Sequence, residues 1–92
     1  MPTIKDVIVR KPSEQEKQEC LQWPTWSSGV SKFDWEYTQR ETCLVMEGRV
    51  TVYSPDQRES VSFGAGDMVI FPNDLACIWD VKEPVLKHYN FS

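Results

Sequence analysis

The chain has 92 residues and a formal net charge of −4 at pH 7, with 10 basic and 14 acidic side chains. That length allows one domain with a small core, so the fold must be compact or share a surface with a partner. The acidic balance argues against nucleic acid as a partner, because a phosphate backbone requires a basic face and no basic cluster exceeds Arg10-Lys11.

The three cysteines, Cys20, Cys43 and Cys77, are scattered along the chain with no close pair. This pattern indicates reduced thiols in a cytosol-like compartment. The first ten residues, MPTIKDVIVR, lack the apolar run of a signal peptide, and no segment approaches a membrane span. We therefore predict a cytoplasmic protein without a membrane partner; an organellar lumen is the alternative if a transit peptide has been removed.

The first 28 residues differ from the rest in their predicted secondary structure. Residues 6–10, DVIVR, predict a short strand. Ser13 followed by Glu16 is a capping-box signature, which predicts a helix from about Glu14 to Leu21. The aromatic stretch WPTWSSG, residues 23–29, is predicted to be extended.

From residue 30 onward, turn signals separate apolar or alternating runs, and no second helix is indicated. The predicted strands lie in VSKFDWEY, in two runs of TCLVMEGRVTVY joined around Glu47-Gly48, in two runs of VSFGAGDMVIFP, in ACIWDV and in PVLKHYNF. Such a series predicts a small β-sandwich or barrel. We divide the single domain, residues 1–92, into an N-terminal strand and helix extension, 1–28, and a barrel core, 29–92.

The run CLVM, residues 43–46, is apolar on both faces of its predicted strand. A second covering surface is therefore needed, either the N-terminal segment or a partner subunit. Because residues 6–10 could also add to a neighbour's sheet, we predict a homodimer.

The spacing of residues 29–48 resembles the first motif of the cupin family, a jelly-roll barrel. That motif is Gly, five residues, His-x-His, three or four residues, Glu, six residues, Gly. Here Gly29, Trp35-Glu36-Tyr37, Glu41 and Gly48 keep the spacing.

The second cupin motif is Gly, five residues, Pro-x-Gly, two residues, His, three residues, Asn. Gly66, Pro72-Asn73-Asp74, Cys77 and Val81 keep this spacing as well. The resemblance implies an all-β cupin jelly-roll barrel preceded by a short strand and helix.

The segments TCLVMEG, FGAGD, CIWDV and EPVLKHY narrow the resemblance further. They are similar to a small single-domain cupin subfamily whose members are commonly named after the cupin domain of (S)-ureidoglycine aminohydrolase. Ethanolamine-utilisation cupins are more distant relatives. The resemblance covers about residues 5 to 91.

The departures that bear on metal binding fall at the ligand positions. Trp35, Tyr37 and Cys77 replace the three histidines, and only Glu41 survives. Imidazole and carboxylate sites need several such ligands, so we predict no cofactor and no tightly bound metal. If a metal is present, Glu41, Cys77 and His88 are the predicted ligands.

Strand alternation places Trp35 and Tyr37 on one face, which the cupin spacing assigns to the barrel interior with Glu41, Cys77 and Trp79. The predicted cavity has aromatic walls, one carboxyl and one thiol, which suits a planar or apolar small molecule. The alternative is that the aromatic side chains simply fill the barrel.

Glu41 and Tyr37 are the candidate catalytic residues. Burial should raise the pKa of Glu41 unless it is paired, and a raised carboxyl can act as general acid or base. The alternative is a structural carboxyl bonded to Tyr37 or to a backbone amide. Three functions follow: a small-molecule-binding module, an enzyme acting through Glu41 with Tyr37, Cys77 or His88, or a dimeric interaction module with a packed barrel.

Overall fold

The computed structural model describes residues 1–92 and contains seven strands, one α-helix and one short 3₁₀ turn. The N-terminal elements are the 3₁₀ turn Ile4–Asp6, β1 Ile8–Arg10, α1 Glu14–Cys20 and β2 Thr25–Ser28. The remaining strands are β3 Ser31–Glu36, β4 Glu41–Tyr53, β5 Ser60–Gly64, β6 Met68–Phe71 and β7 Ala76–Phe91. Neither helical segment is long and apolar enough to cross a membrane.

Two long strands, β4 and β7, form the centre of an antiparallel sheet with the order β1-β6-β4-β7-β2. The first half of β4 pairs with β6 and the second half with β5, while β7 pairs first with β3 and then with β2. Each long strand therefore passes from one layer of the barrel to the other, as in a jelly roll. The predicted all-β barrel with an N-terminal strand and helix is confirmed.

The continuity of these two strands corrects the sequence analysis, which divided each of them into two. The β4–β7 register shifts between Val45 and Val50, which is the signature of β-bulges. At this point Gly48 has a φ of 96°, and Pro84 lies opposite, where no ladder hydrogen bond is needed from its nitrogen. The glycine and proline bend the strands without ending them.

The helix begins as predicted, with a capping box between Ser13 and Glu16. The Glu16 carboxylate also accepts two hydrogen bonds from Arg10, at 2.8 and 2.6 Å, and so fastens α1 to the end of β1. Cys20 at the end of α1 is buried against Leu44 and Met68. The outer face of the apolar run in β4 is thus covered by the chain's own N-terminal segment, one of the two coverings that the sequence required.

The N-terminal segment also belongs to the sheet. β1 pairs with β6, and β2 pairs with the second half of β7. Inside the barrel, buried aliphatic and aromatic side chains pack at one end, among them Val45, Val50, Phe63, Phe71 and Val81. The other end of the interior is less completely filled, and there the candidate site lies.

Candidate functional site

A cavity of about 210 Å³ opens into the barrel. Seven aromatic side chains form its walls: Trp26, Phe33, Trp35, Tyr37, Trp79, Tyr89 and Phe91. The remaining two lining residues are Glu41 and Lys87. Trp35 and Phe91 are exposed, whereas Tyr37, Trp79 and the two charged residues are buried, so the exposed rings form the mouth and the charges lie at depth.

One wall comes from β3 and the residues that follow it. Alternation along β3 directs Phe33 and Trp35 to the interior side, opposite Trp79 and Cys77 of β7. Tyr37 follows the strand end, where its backbone nitrogen donates to the Leu75 carbonyl at 2.9 Å.

Tyr37 is fixed by its ring as well as by its backbone. The ring stacks on Phe71 with centroids 4.7 Å apart, and the hydroxyl accepts a hydrogen bond from Trp79 Nε1 at 3.2 Å. Burial raises the pKa of Tyr37 far above that of a free phenol, so the hydroxyl stays protonated. It can donate or accept a hydrogen bond but cannot serve as an anionic base.

The opposite wall comes from β2 and the second half of β7. Trp26 of β2 packs edge to face on Trp79, with centroids 5.8 Å apart. Lys87 and Tyr89 alternate with residues that face outward, and Phe91 continues the same face to the mouth. Glu41, the first residue of β4, completes the site from the neighbouring strand.

A buried ion pair lies at the base of this cavity. Lys87 Nζ donates to Glu41 Oε2 at 2.8 Å, and the two side chains are only 7% and 3% exposed. The ammonium also lies 4.6 Å from the Trp79 ring centroid and 5.0 Å from that of Trp26. These cation–π contacts and the carboxylate together offset the loss of hydration of the lysine.

The second carboxylate oxygen of Glu41 is not satisfied by the protein. Glu41 Oε1 is buried and receives no hydrogen bond from any protein group. Nearly all buried polar atoms in folded proteins have a partner, so an orphan acceptor in a cavity wall is exceptional. Glu41 therefore retains the capacity to accept a hydrogen bond from a molecule in the cavity.

Four of the five predicted cavity residues, Trp35, Tyr37, Glu41 and Trp79, line this space. Cys77 does not, which corrects the prediction. It shares the interior face with Trp79, but two residues along a strand are roughly 6.5 Å, so Cys77 packs in the core and borders a separate depression instead. Burial raises the pKa of Cys77 to about 12, so the thiol is protonated at neutral pH.

His88 does not complete a set with Glu41 and Cys77. It lies on the opposite face of β7 from Lys87, and its Nδ1 is 2.8 Å from the Trp23 carbonyl oxygen. No three histidine, cysteine, aspartate or glutamate side chains come close enough together to hold a metal ion. The residues at the cupin ligand positions thus do not fit a metal, and the positive charge beside Glu41 is the Lys87 ammonium.

The partner of Glu41 is neither Tyr37 nor a backbone amide, the two partners that the sequence analysis considered. Lys87 lies on the face of β7 opposite His88, and the sequence analysis did not include it in the site. The available signal was the alternation of Val85, Lys87, Tyr89 and Phe91, a lysine in an otherwise apolar stripe. No pattern in the sequence indicated that Trp26 lines the cavity, because only tertiary packing brings β2 there.

A second, shallower depression of about 470 Å³ lies on the outside, between Pro55 and the start of β7. Exposed Asp34, Glu36 and Ala76 border it, together with Trp35 and Cys77. It contains no buried charge and only one aromatic side chain, so the interior cavity is the better candidate site.

Fold and site together define a small jelly-roll barrel of the cupin class in which aromatic rings and an ion pair occupy the positions of a metal centre. Residues 15–89 match the model of the EutQ-like cupin domain family. The chain belongs to this family.

A DUF861 family protein from Thermotoga maritima is 42% identical, with a TM-score of 0.88 over 95% of this chain and 100% of the other. The EutQ protein of Clostridium difficile is 18% identical, with a TM-score of 0.66 over 73% of this chain and 52% of its own. A Pseudomonas syringae protein of unknown function from the DUF861 family is 23% identical, with a TM-score of 0.64 over 74% of this chain and 29% of its own. The latter two likenesses show the fold alone. No curated protein matches the chain.

Proposed function

We propose that this protein binds a small ring-containing molecule in the aromatic cavity and does not transform it. The observation that carries the proposal is an open-mouthed aromatic cavity with an ion pair at its base and an unpartnered carboxylate oxygen. Apolar walls with a few polar groups are the usual composition of a ligand site.

The size of the cavity limits the ligand to one ring. Sites for drug-sized ligands have volumes of roughly 300–1,000 Å³, whereas a 150 Å³ apolar cavity accommodates benzene. A volume of about 210 Å³ corresponds to a single ring with small substituents.

No observation favours the enzymatic alternative. Glu41 is engaged by Lys87, and the raised pKa values of Tyr37 and Cys77 keep both groups protonated. A closer kinship with the (S)-ureidoglycine aminohydrolase cupin domain stays a prediction of the sequence, and no step of that reaction is assigned to these residues. Free, buried cysteines support a reducing compartment, and we propose the cytoplasm.

The test is a titration with small aromatic fragments, toluene and phenol, followed by the NMR indole signals of Trp26 and Trp79. We expect both signals to shift in a saturable manner. If neither fragment shifts them at millimolar concentration, the cavity is not a binding site and the proposal fails.

Trp35→Ala removes one side of the mouth. The ring is 47% exposed, so we expect a loss of stability well below the roughly 3–5 kcal/mol typical of a buried tryptophan. Fragment affinity should nevertheless fall several-fold. Val30→Ala is the matched control, because Val30 is exposed but does not line the cavity. Unchanged affinity in Trp35→Ala would contradict the assignment of the mouth.

A further inference from the structure

We propose that the ligand is a neutral, planar six-membered ring with a cis-amide edge, in which a ring N–H lies beside a C=O. This inference rests on the proposed binding function and names its ligand class. The geometry of the Glu41–Lys87 pair points to it, because the pair leaves one acceptor and unused donors side by side at the base of an aromatic slot.

The acceptor is Glu41 Oε1. It is buried, lies in a residue that lines the cavity, and accepts nothing from the protein. Only a ligand with an N–H or O–H group, or a water molecule, can satisfy it there. A hydrogen bond to a charged acceptor contributes more than one between neutral groups, so this atom favours ligands with a donor.

The donors are those of Lys87. An ammonium has three hydrogens, and Nζ makes a single hydrogen bond, to Glu41 Oε2. No protein acceptor takes its other two hydrogens, Nζ lies beside the rings of Trp26 and Trp79, and Lys87 lines the cavity. A ligand carbonyl can therefore accept from Nζ while the Glu41 contact is kept.

The charge balance of the site selects a neutral ligand. Lys87 and Glu41 already neutralise each other, so an anion would be repelled by the carboxylate and a cation by the ammonium. A cis-amide edge is neutral and offers its donor and acceptor on adjacent atoms, which match the adjacent acceptor and donor of the ion pair.

The walls select a flat molecule. Phe33 and Trp79 are nearly parallel, with an interplanar angle of 15°, and Trp26 lies edge-on to both. Aromatic faces and edges of this kind favour a planar guest, which can stack on one ring or meet another edge to face. The volume of about 210 Å³ admits one such ring.

The test compares three probes on the unmodified protein: 2-pyridone, its N-methyl derivative and toluene. All three present a six-membered ring, but only 2-pyridone has the donor for Glu41 Oε1. We expect 2-pyridone to bind about tenfold or more tightly than N-methyl-2-pyridone, the factor for losing one hydrogen bond to a charged group. The indole signals of Trp26 and Trp79 report the binding.

A variant locates the contact. In Glu41→Gln, the amide oxygen will accept from Lys87, which leaves an NH₂ donor where Oε1 now accepts. The preference for 2-pyridone over its N-methyl derivative should disappear. Glu83→Gln is the matched control and should keep the preference. Glu83 lies on the exposed surface, where its Oε1 is 3.7 Å from Arg49 Nε.

The outcomes separate this inference from the function on which it rests. If toluene binds but 2-pyridone and N-methyl-2-pyridone bind equally, the cavity is a binding site and the cis-amide inference is wrong. If no probe binds, the proposed function fails and the inference with it. Because the probe comparison uses the unmodified protein, the test does not depend on the folding of Glu41→Gln.

Discussion

At the scale of single residues, the Glu41–Lys87 pair is the most consequential feature of the site. Both side chains are buried, and each is the only charged partner of the other. A buried pair contributes little net stability compared with apolar replacements, but removal of one partner leaves an uncompensated charge. The pair's small net contribution to stability agrees with the role in ligand recognition that we propose for it.

A double-mutant cycle tests this energetic asymmetry. We expect Glu41→Leu and Lys87→Met each to lower the free energy of unfolding by about 3–5 kcal/mol, because each leaves a buried charge unpaired. The double variant should lose much less than the sum and approach the unmodified protein. Urea denaturation measures all four proteins. Additive losses would show that the two charges do not interact as the structure has them.

At the scale of elements, the bulge in β4 determines the shape of the barrel. Gly48 has a positive φ and approaches the backbone of β7 so closely that a Cβ would lie 2.2 Å from the Pro84 carbonyl oxygen. The second half of β4 can then pair with β5 while the first half pairs with β6. Glu41 and Lys87 both lie on the β6 side of the bend, in the regular stretch of the ladder between β4 and β7.

Gly48→Ala should consequently be strongly destabilising. The strain of a positive φ alone costs roughly 1–2 kcal/mol, and the clash with the backbone of β7 adds to it. We expect a loss above about 2 kcal/mol. Gly29→Ala is the control, since a Cβ at this position would have no atom within 4 Å and the φ of Gly29 is ordinary, so it should change stability by less than about 0.5 kcal/mol. Equal effects in urea denaturation would contradict the bulge.

The helix cap should make a contribution to stability that depends on pH. Hydrogen bonds from Arg10 and from the Ser13 backbone lower the pKa of Glu16 to about 2, from an ordinary value of 4.5. Because the folded-state pKa is the lower one, the contribution is fully present above pH 4.5 and is lost as the pH falls toward 2. Thermal midpoints measured over this range should decline less steeply in Glu16→Gln. Parallel curves for the two proteins would show that the cap does not titrate.

At the scale of the whole molecule, the chain covers most of its own apolar surface. The outer face of β4 packs against α1, and β1 pairs with β6, so both features that predicted a homodimer are satisfied within one chain. The surface on which we place the proposed dimer is the outer edge of β1, an end strand of the sheet, where Ile8 is 47% exposed. A short, exposed edge strand is a pairing surface.

We retain the homodimer as a proposal at this edge. Sedimentation velocity at tens of micromolar, roughly the working range for interfaces of standard size, should show a dimer. Ile8→Lys should shift it to monomer, because a charge on an edge strand opposes pairing. Exposed Leu21, the residue that follows α1, offers the control, Leu21→Lys, which should remain dimeric. A monomeric unmodified protein would refute the proposal.

Local signals in the sequence determined the fold class and half of the site. The capping box placed α1, and the turn residues and alternation predicted a small sandwich or barrel. The resemblance of the motif spacing to cupins selected the barrel, and the positions of Trp35, Tyr37 and Glu41 within that spacing indicated the cavity wall. These features depend on residues close together in the chain, which is why they could be predicted. Gly48 was recognised as a turn residue, but its local conformation alone does not distinguish a bulge from a strand end.

The tertiary structure decided which distant residues meet. Lys87 lies 46 residues from Glu41, and their contact depends on the pairing of Glu41–Val45 with Lys87–Phe91, which no local pattern specifies. The same register directs His88 to the Trp23 carbonyl and leaves Cys77 in the core. A shift of one residue along a strand exchanges its two faces, so the chemistry of this cavity follows from the long-range pairing of β4 and β7.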